Sequence, residues 1–418
     1  MPIAYLIPEF PTQTHIFFWR ERTALRKIGI ATYLVSTRRP PEAVISHDWA
    51  AQAESETFYL ADIGLRDILA IGSESIRLGP KAWIKAINAA LEGCPPRAWV
   101  FNVGLLFIAV HLIILMRAKK LTHVHLHSCA NSALVAMFAN RLADITYSLT
   151  LHGDLPDYGR QQNVKWRYAA FAITITHRLY NQVRQQLCDD IPPRFALAPM
   201  GVDPAIFKRG KAYEPWTGEG PLRLFSCGRL NYVKGHQDLI RAVSILKQSD
   251  MNVHLEIAGE DELGGKGFRH DLDTLITNLK LAKNVVLLGA LSERRVLEGL
   301  EAAHLFVLAS HREPLGVAIM EALSCETPVI ATNLGGVPEL IDHGVDGYLV
   351  CPQDPKALAE AIRYLAQNPL LAKRFSVSGR PKIEQRFNSD LSALQLKRML
   401  EQMSNTKCHQ SEPMRPLA

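Results

Sequence analysis

The stretch Leu305-Phe-Val-Leu-Ala-Ser-His-Arg-Glu-Pro-Leu-Gly-Val-Ala-Ile-Met-Glu321 joins a short, wholly apolar run to a helical pattern through a loop holding Pro314 and Gly316. An unbroken apolar run of that length suits a strand covered by helices on both faces, which belongs to a parallel sheet. Ligands of open α/β sheets bind outside the carboxyl ends of such strands, where helix N-termini offer free amides and a favourable dipole to phosphate. Gly316 and Val317 would present those amides. Glu321, about a turn and a half into the helix, would accept hydrogen bonds from ribose hydroxyls, and Glu313 in the loop would hold a hydroxyl of a sugar. The alternatives are a helix-surface charge for Glu321 and a solvated loop carboxylate for Glu313.

The same alternation recurs outward from this stretch. Strands are predicted at Leu222–Cys227, His254–Gly259, Val285–Leu288 and Val329–Ala331, with helices at Gly235–Gln248, Phe268–Leu279, after the N-cap Ser292, and at Gly316–Ser324. Upstream, strand Ile3–Ile7, a helix near Ile16–Ile28 and strand Ala31–Ser36 begin another parallel α/β sheet, continued by strands His123–His127, Tyr147–Leu151 and Ala172–Thr176. Between the two, Ile191–Pro221 collects Pro192, Pro193, Pro199, Pro204, Pro215 and Pro221 with Gly201, Gly210, Gly218 and Gly220, the composition of a domain boundary. A chain of 418 residues is also longer than one hydrophobic core ordinarily serves. Two doubly wound domains are expected, over 1–200 and 213–385. A helix over 386–403 should return to the first domain, and a disordered tail should occupy 404–418.

Hydrophobic residues make up 48% and charged residues 21% of the chain, a globular balance. The net charge of +6 fits an anionic small molecule or membrane surface better than nucleic acid, for which there is no arginine-rich arm or aromatic signature. Cys94, Cys129, Cys188, Cys227, Cys325, Cys351 and Cys408 are scattered without a C-x-x-C pair, as reduced cytosolic thiols are. The start lacks the basic residues and long apolar core of a signal peptide, so a cytoplasmic protein is expected. Trp99–Met116 is nearly all apolar, interrupted by Asn102, Gly104 and His111 and closed by Arg117, Lys119 and Lys120. At the lower limit of a membrane span, about 18–20 residues, it reads as a buried or membrane-facing helix. Together with the basic, aromatic helix containing Phe18, Trp19, Arg20 and Arg22, it predicts salt-sensitive peripheral attachment to the inner face of the cell membrane.

Directly after Leu222–Cys227 comes Gly228-Arg229-Leu-Asn-Tyr-Val-Lys234-Gly235. Two cations in a loop ending at a helix N-terminus suit a diphosphate, which arginine holds as a planar fork and lysine as a mobile point charge. Taken in order with Ala258-Gly259-Glu260, the Glu313 to Glu321 element and Gly335-Gly336-Val337-Pro338-Glu339, this loop closely resembles family 4 glycosyltransferases of the GT-B fold. The resemblance is specific over residues 222–352 and looser before them. It implies an α/β GT-B fold of two Rossmann-like doubly wound parallel-sheet domains facing a cleft. It also implies a hexosyltransferase-type enzyme that moves a sugar, with retention, from a nucleotide diphosphate sugar without cofactor or metal. On this resemblance Arg229 and Lys234 would stabilise the leaving diphosphate, Glu321 would bind ribose and Glu313 the donor sugar. Gly316 and Val317 would supply amides, Leu288 and Leu291 would flank the base, and Gly228, Glu260 and Leu315 would complete the donor site.

The N-terminal half is similar to a polysaccharide-assembly branch of that family. Its first loop, Pro8-Glu9-Phe10-Pro11-Thr12-Gln13-Thr14, carries Thr and Gln where the wider family has paired glycines, and Thr12 and Thr14 stand there as acceptor contacts. Thr150-Leu-His152-Gly153-Asp154 matches the family's histidine beside the reacting sugar. That match adds His152 to Arg229, Lys234 and Glu313 as catalytic residues, with His152 and Asp154 toward the acceptor. His123, His125 and His127 alternate on one strand face, a spread too long for one tetrahedral ion. Asp154 and Asp157 lack the matching acid that a glycosidase places across its cleft. The expected acceptor is a glycan or lipid-linked sugar in exopolysaccharide or cell-envelope glycan biosynthesis. The alternatives are another GT-B enzyme such as a nucleotide-sugar epimerase, which needs no acceptor, and a non-catalytic nucleotide-binding member of a polysaccharide-assembly complex.

Overall fold

In the computed structural model, which describes residues 2–40 and 47–409, the apolar runs form two separate parallel sheets. The first holds β1 (Ile3–Glu9), β2 (Thr32–Arg38), β3 (Phe58–Tyr59), β4 (His123–Leu126), β5 (Thr146–Leu151), β6 (Phe171–Thr174) and β7 (Phe195–Leu197), in the order β3-β2-β1-β4-β5-β6-β7. The second holds β8 (Leu222–Cys227), β9 (Val253–Ala258), β10 (Val285–Gly289), β11 (Leu305–Leu308), β12 (Val329–Thr332) and β13 (Tyr348–Val350), in the order β10-β9-β8-β11-β12-β13. β4, β6, β11 and β12 are buried at every residue, as strands sandwiched between helices must be. In each sheet the strand order reverses beside the first strand, between β1 and β4 and between β8 and β11. Loops diverge at such a reversal and leave a crevice at the carboxyl ends of the strands, where doubly wound sheets bind ligands.

Two long helices lie over the first sheet. Leu65–Leu91 is broken by Gly79 at φ 74° and Pro80. Ile71, Ala86, Ala89 and Ala90 turn inward, while Leu65, Ile68, Leu69, Ile76 and Ile84 stand exposed. Trp99–Ala118 packs beside it with Leu106, Ala109, Val110, Leu112, Ile113 and Met116 buried, and with Trp99, Val100, Phe101, Val103 and Phe107 outside. Its two interrupting polar residues are satisfied internally, Asn102 Nδ2 donating to Ala90 O at 2.7 Å and His111 Nδ1 meeting Leu60 O at 3.0 Å.

The Ile16–Lys27 helix is unavailable as one of the two segments expected at the membrane. Phe18, Arg20 and Arg22 are buried. Phe18, Ala24 and Leu25 form one apolar cluster with Ala393, Leu396, Met399 and Leu400 of the C-terminal helix, Arg22 is paired with Glu56, and Arg20 turns into the crevice. Contact with the rest of the chain has taken the face that a bilayer would need. The C-terminal helix, Ser389–His409, also overruns the expected disordered tail, since 404–409 are helical; 410–418 lie outside the described residues.

The chain crosses between the sheets twice, and the crossings are paired. Val202 N donates to Phe387 O at 3.0 Å, and Ser389 N donates back to Val202 O at 2.9 Å. A Cβ on Gly201 would lie 2.4 Å from Phe387 O and from the Asn388 carbonyl carbon, so only glycine lets these two backbones touch. Gly201→Ala should therefore separate the crossings and lower unfolding stability by about 1–3 kcal/mol, the usual range for overpacking. Urea denaturation checks this, and an unchanged midpoint would contradict the tight crossing.

Candidate active site

The crevice between the sheets encloses a cavity of about 660 Å³, within the range of small-molecule sites. Loops after β1, β5, β8, β9 and β11 line it. On the second-sheet side, Gly228 and Arg229 follow β8, and Asn231 caps a short turn by accepting from Lys234 N at 3.1 Å. Gly235 follows at φ +69°, where a Cβ would lie 1.8 Å from Ala309 O. This close approach brings Lys234 against the loop after β11, with Lys234 Nζ 2.5 Å from Glu313 Oε2. Ser310 Oγ donates to the same carboxylate oxygen at 3.1 Å.

A second glycine contact seats the Glu313 loop. A Cβ on Gly335, at φ +61°, would lie 2.0 Å from Glu313 O, and Gly336 N donates to that oxygen at 3.0 Å. The Gly335-Gly336 turn therefore shapes the backbone under Glu313. Gly316, at φ +104°, then starts the Val317–Ser324 helix, and Leu315, Gly316, Val317 and Glu321 all line the cavity.

Glu321 is buried and meets a partner the sequence did not indicate. Arg20 Nη2 lies 2.7 Å from Glu321 Oε1 and 2.6 Å from Glu293 Oε2, and the guanidinium is itself buried. Burial raises the Glu321 carboxyl above its ordinary range, and Arg20 opposes that rise. Arg20 sat in the sequence among surface cations, so only the fold could identify it as a site residue.

The other expected residues divide between the cavity wall and its surroundings. Thr12, Thr14, His152, Gly228, Arg229, Lys234, Leu291 and Glu313 line it. Arg229 reaches out to Glu262 at 2.8 Å. Glu260 is engaged instead by Arg269 at 2.7 Å, Leu288 is partly exposed away from the lining, and Asp154 pairs with Arg178 at 2.7 Å. Asp154 and Asp157 thus belong to an ion-pair group that Arg312, 2.7 Å from Asp157, ties to the second sheet. The sequence placed these residues at the right strand ends but could not say which way their side chains turn.

His152 completes the first-sheet wall. Phe17 and Phe18 enclose its ring at 5.1 and 5.4 Å, and burial pushes its pKa well below the ordinary imidazole value. The three β4 histidines are hydrogen-bonded. His123 meets Thr146 and Ser148 hydroxyls, His125 meets Ser148 and Thr150, and His127 reaches His152 at 3.1 Å. His15, also on the wall, was not singled out in the sequence; burial and neighbouring Arg229 lower it to about 3.

Comparison with known proteins bears on the family of the second half and on the fold. Residues 215–382 match the family described as "Glycosyl transferases group 1". The chain is 31% identical over 173 residues to glycogen synthase of Mycobacterium tuberculosis, covering 40% of each chain. It is 31% identical over 214 residues to the amylovoran biosynthesis glycosyltransferase AmsK of Erwinia amylovora, covering 49% of this chain and 50% of that one. These matches span half, or less, of the relatives' length. Over almost its whole length it resembles HepE of Anabaena, solved with UDP-glucose, at a TM-score of 0.72 and 18% identity, covering 96% and 100% of the two chains. The fold is GT-B.

The buried histidines generate a stability prediction. Burial lowers His15 to about 3, and His236 and His304 to about 4, from an ordinary value of about 6.5. Below pH ~6.5 the unfolded chain takes up protons that the native chain refuses, so stability is full above that pH and falls as pH drops toward 4. Denaturant midpoints at pH 7.5 and 5.0 check the sign; a higher midpoint at pH 5.0 would contradict it.

Proposed function

We propose that this chain, a group 1 glycosyltransferase of the family 4 type in its second domain, transfers a sugar with retention from a nucleoside diphosphate sugar to a glycan or lipid-linked acceptor. The observation that carries the reading is the facing of Arg229, Lys234 and Glu313 on one wall by His152 on the other. Lys234 and Arg229 would hold the diphosphate, Glu313 and His152 the transferred sugar, and Glu321 the ribose through the oxygen opposite its Arg20 contact. The likeness to HepE supports a uridine diphosphate sugar, and a 31% identity over 185 residues to the capsular polysaccharide biosynthesis glycosyltransferase CapM of Staphylococcus aureus supports polysaccharide assembly.

The chemistry follows from charge. As the bond from the anomeric carbon to the diphosphate breaks, negative charge grows on the leaving oxygens beside Lys234. The acceptor oxygen forms its bond on the same face, and its proton passes to a phosphate oxygen of the leaving group. Two side-chain cations supply the stabilisation, so the reaction as proposed requires neither metal nor protein nucleophile. Before donor binding Lys234 is neutralised by Glu313, and arrival of the diphosphate would divide that pair and free Glu313 for a sugar hydroxyl.

A membrane surface is the proposed working location. Leu65, Leu69, Ile76, Val100 and Phe101 are each more than half exposed on two neighbouring helices, interspersed with exposed Arg66, Arg77, Lys81, Lys85 and Arg97. Apolar side chains among cations fit the interface of an anionic bilayer at the cytoplasmic face. The Pro96–Ala118 segment is long and apolar enough to cross a membrane, but half of its most apolar 18-residue window is buried in the fold, which favours lying on the surface. Leu69→Glu combined with Val100→Glu should abolish sedimentation with vesicles containing anionic lipid while leaving donor binding intact. Binding that persists in the double variant, or that ignores salt, would refute this face.

The donor-site assignment is tested by kinetics with UDP-sugars and isolated acceptor, in EDTA. Lys234→Ala should lower kcat about a hundredfold, on the order of 3 kcal/mol, with little change in donor affinity. Glu321→Ala should chiefly raise the donor KM, by about 1.5–3 kcal/mol. Sugar-nucleotide conversion without acceptor would point instead to an epimerase, and Lys234→Ala at full turnover would overturn the roles.

A further inference from the structure

Among the described residues, every hydrogen bond of the Arg20 guanidinium crosses the crevice. Nε and Nη2 donate to Glu293 Oε2 at 3.1 and 2.6 Å, Nη2 also donates to Glu321 Oε1 at 2.7 Å, and Nη1 has no partner. Phe207 covers the face of the group at 5.0 Å, and the Arg20 side chain is only 5% exposed. A first-sheet helix thus places its cation wholly on two carboxylates of the second sheet's helices. Glu321 engages Arg20 with one oxygen only. Its Oε2 has no hydrogen bond among the described residues, and the side chain keeps 9% exposure while lining the cavity.

A carboxylate accepts through either oxygen, and pinning one of them fixes where the other points. Arg20 pins Oε1 from the first-sheet side and leaves Oε2 as the acceptor open to a ligand. We propose that Arg20 is a positioning residue for the donor, turning the Glu321 carboxylate from the first domain so that Oε2 accepts from a ribose hydroxyl. The same contact keeps that carboxylate charged. The nucleoside half of the donor is then held by a second-domain residue only while a first-domain residue supports it, so nucleoside recognition and closure of the crevice are coupled. The inference rests on the ribose role given to Glu321 above.

The charges around Glu321 point the same way. Burial raises its carboxyl above the ordinary range, the Arg20 guanidinium opposes the rise, and Glu293 adds to it. Cys227, at the end of β8, also faces Glu321, but burial pushes its thiol up to about 12, so it stays neutral. Lys234, which also acts on that thiol, is paired with Glu313 at 2.5 Å. Arg20 is the cation in contact with Glu321. Without it, burial and Glu293 act unopposed, and Glu321 takes up a proton at a higher pH than in the parent chain. A protonated carboxyl gives up the charge-assisted hydrogen bond to a hydroxyl, which is about twice as strong as a neutral one. Loss of Arg20 should therefore weaken nucleoside binding more as pH falls.

The test is calorimetric titration of the full chain with UDP and with inorganic pyrophosphate at pH 8.5 and pH 6.0. Each Kd is taken relative to the parent at the same pH, so that titration of the ligand cancels. Arg20→Gln should weaken UDP about threefold at pH 8.5 and about thirtyfold at pH 6.0, the range of one charge-assisted hydrogen bond. Pyrophosphate, which has no ribose, should show no such pH-dependent loss. Adding Glu321→Gln to Arg20→Gln should remove the difference between the two pH values, because the titrating group is gone. Glu293→Ala separates positioning from tethering: it removes two of the three cross-crevice hydrogen bonds and leaves Arg20 on Glu321, so UDP affinity should stay near the parent's at both pH values. An equal loss of UDP affinity at the two pH values in Arg20→Gln would overturn the proposal. So would a loss in Glu293→Ala as large as in Arg20→Gln, since either result marks the ion pair as a tether alone. Should Arg20→Gln not fold, Glu293→Ala decides, affinity kept supporting the proposal and affinity lost overturning it. Absence of UDP binding by the parent would remove the nucleotide reading of the cavity and this inference with it, whereas the two preceding failures leave that reading standing.

Discussion

One buried guanidinium organises the crevice. Arg20 leaves the helix that follows β1, passes into the space between the sheets and meets Glu293 and Glu321, each on a helix of the second sheet. Phe207, in the segment joining the two sheets, covers its face at 5.0 Å. A buried charge is tolerable only while paired, and stranding one typically costs about 3–5 kcal/mol even where the pair as a whole adds little stability. The contact therefore acts mainly on geometry. If the first-sheet helix rotated away, it would leave one cation and two carboxylates without partners. The Thr12 to Thr14 loop immediately precedes that helix, so it is held over the donor-side loops by the same restraint.

The second sheet reaches comparable precision by backbone contact. Gly235 and Gly335 each let a site loop sit directly on another main chain, and both adopt positive φ. Side chains larger than hydrogen would force these loops apart by more than an ångström, and Lys234 would no longer reach Glu313. The cations and carboxylates are thus placed by three different devices: an ion pair across the crevice, close-packed glycine turns beneath it, and a histidine ladder behind it. None of the three depends on the others being adjacent in sequence.

The exposed apolar helices and the first-sheet wall of the cavity occupy the same half of the molecule without sharing residues. Leu65–Leu91 and Trp99–Ala118 bury one side against the first sheet and leave the other unpartnered, while the loops after β1 and β5 face the second sheet. For the proposed transfer to a lipid-linked acceptor, this arrangement lets the first domain rest on the bilayer as the donor loops stay in water. The apolar face and the cavity are separate surfaces, so a substitution on the one leaves the lining of the other untouched.

The sequence by itself determined the two parallel sheets, because strands buried on both faces must be nearly continuous apolar runs, as Leu305–Leu308 and Val329–Thr332 are. It also located the Gly228 to Gly235 loop and the Glu313 to Glu321 element, since strand ends and helix starts carry local signatures, whereas His152 came only with the resemblance to a family. It did not distinguish Glu321, which lines the cavity, from Glu260, which turns to Arg269, because side-chain direction depends on neighbours distant in the chain. Nor did it separate Arg20 and Arg22, both buried, from the exposed Arg26 and Lys27 beside them. An isolated helix pattern records which residues are polar, whereas burial of a charge is decided by whether the folded chain brings it a counter-charge. Glu293 and Glu321 stand about three hundred positions away from Arg20, and only the packing of one sheet against the other brings them within reach.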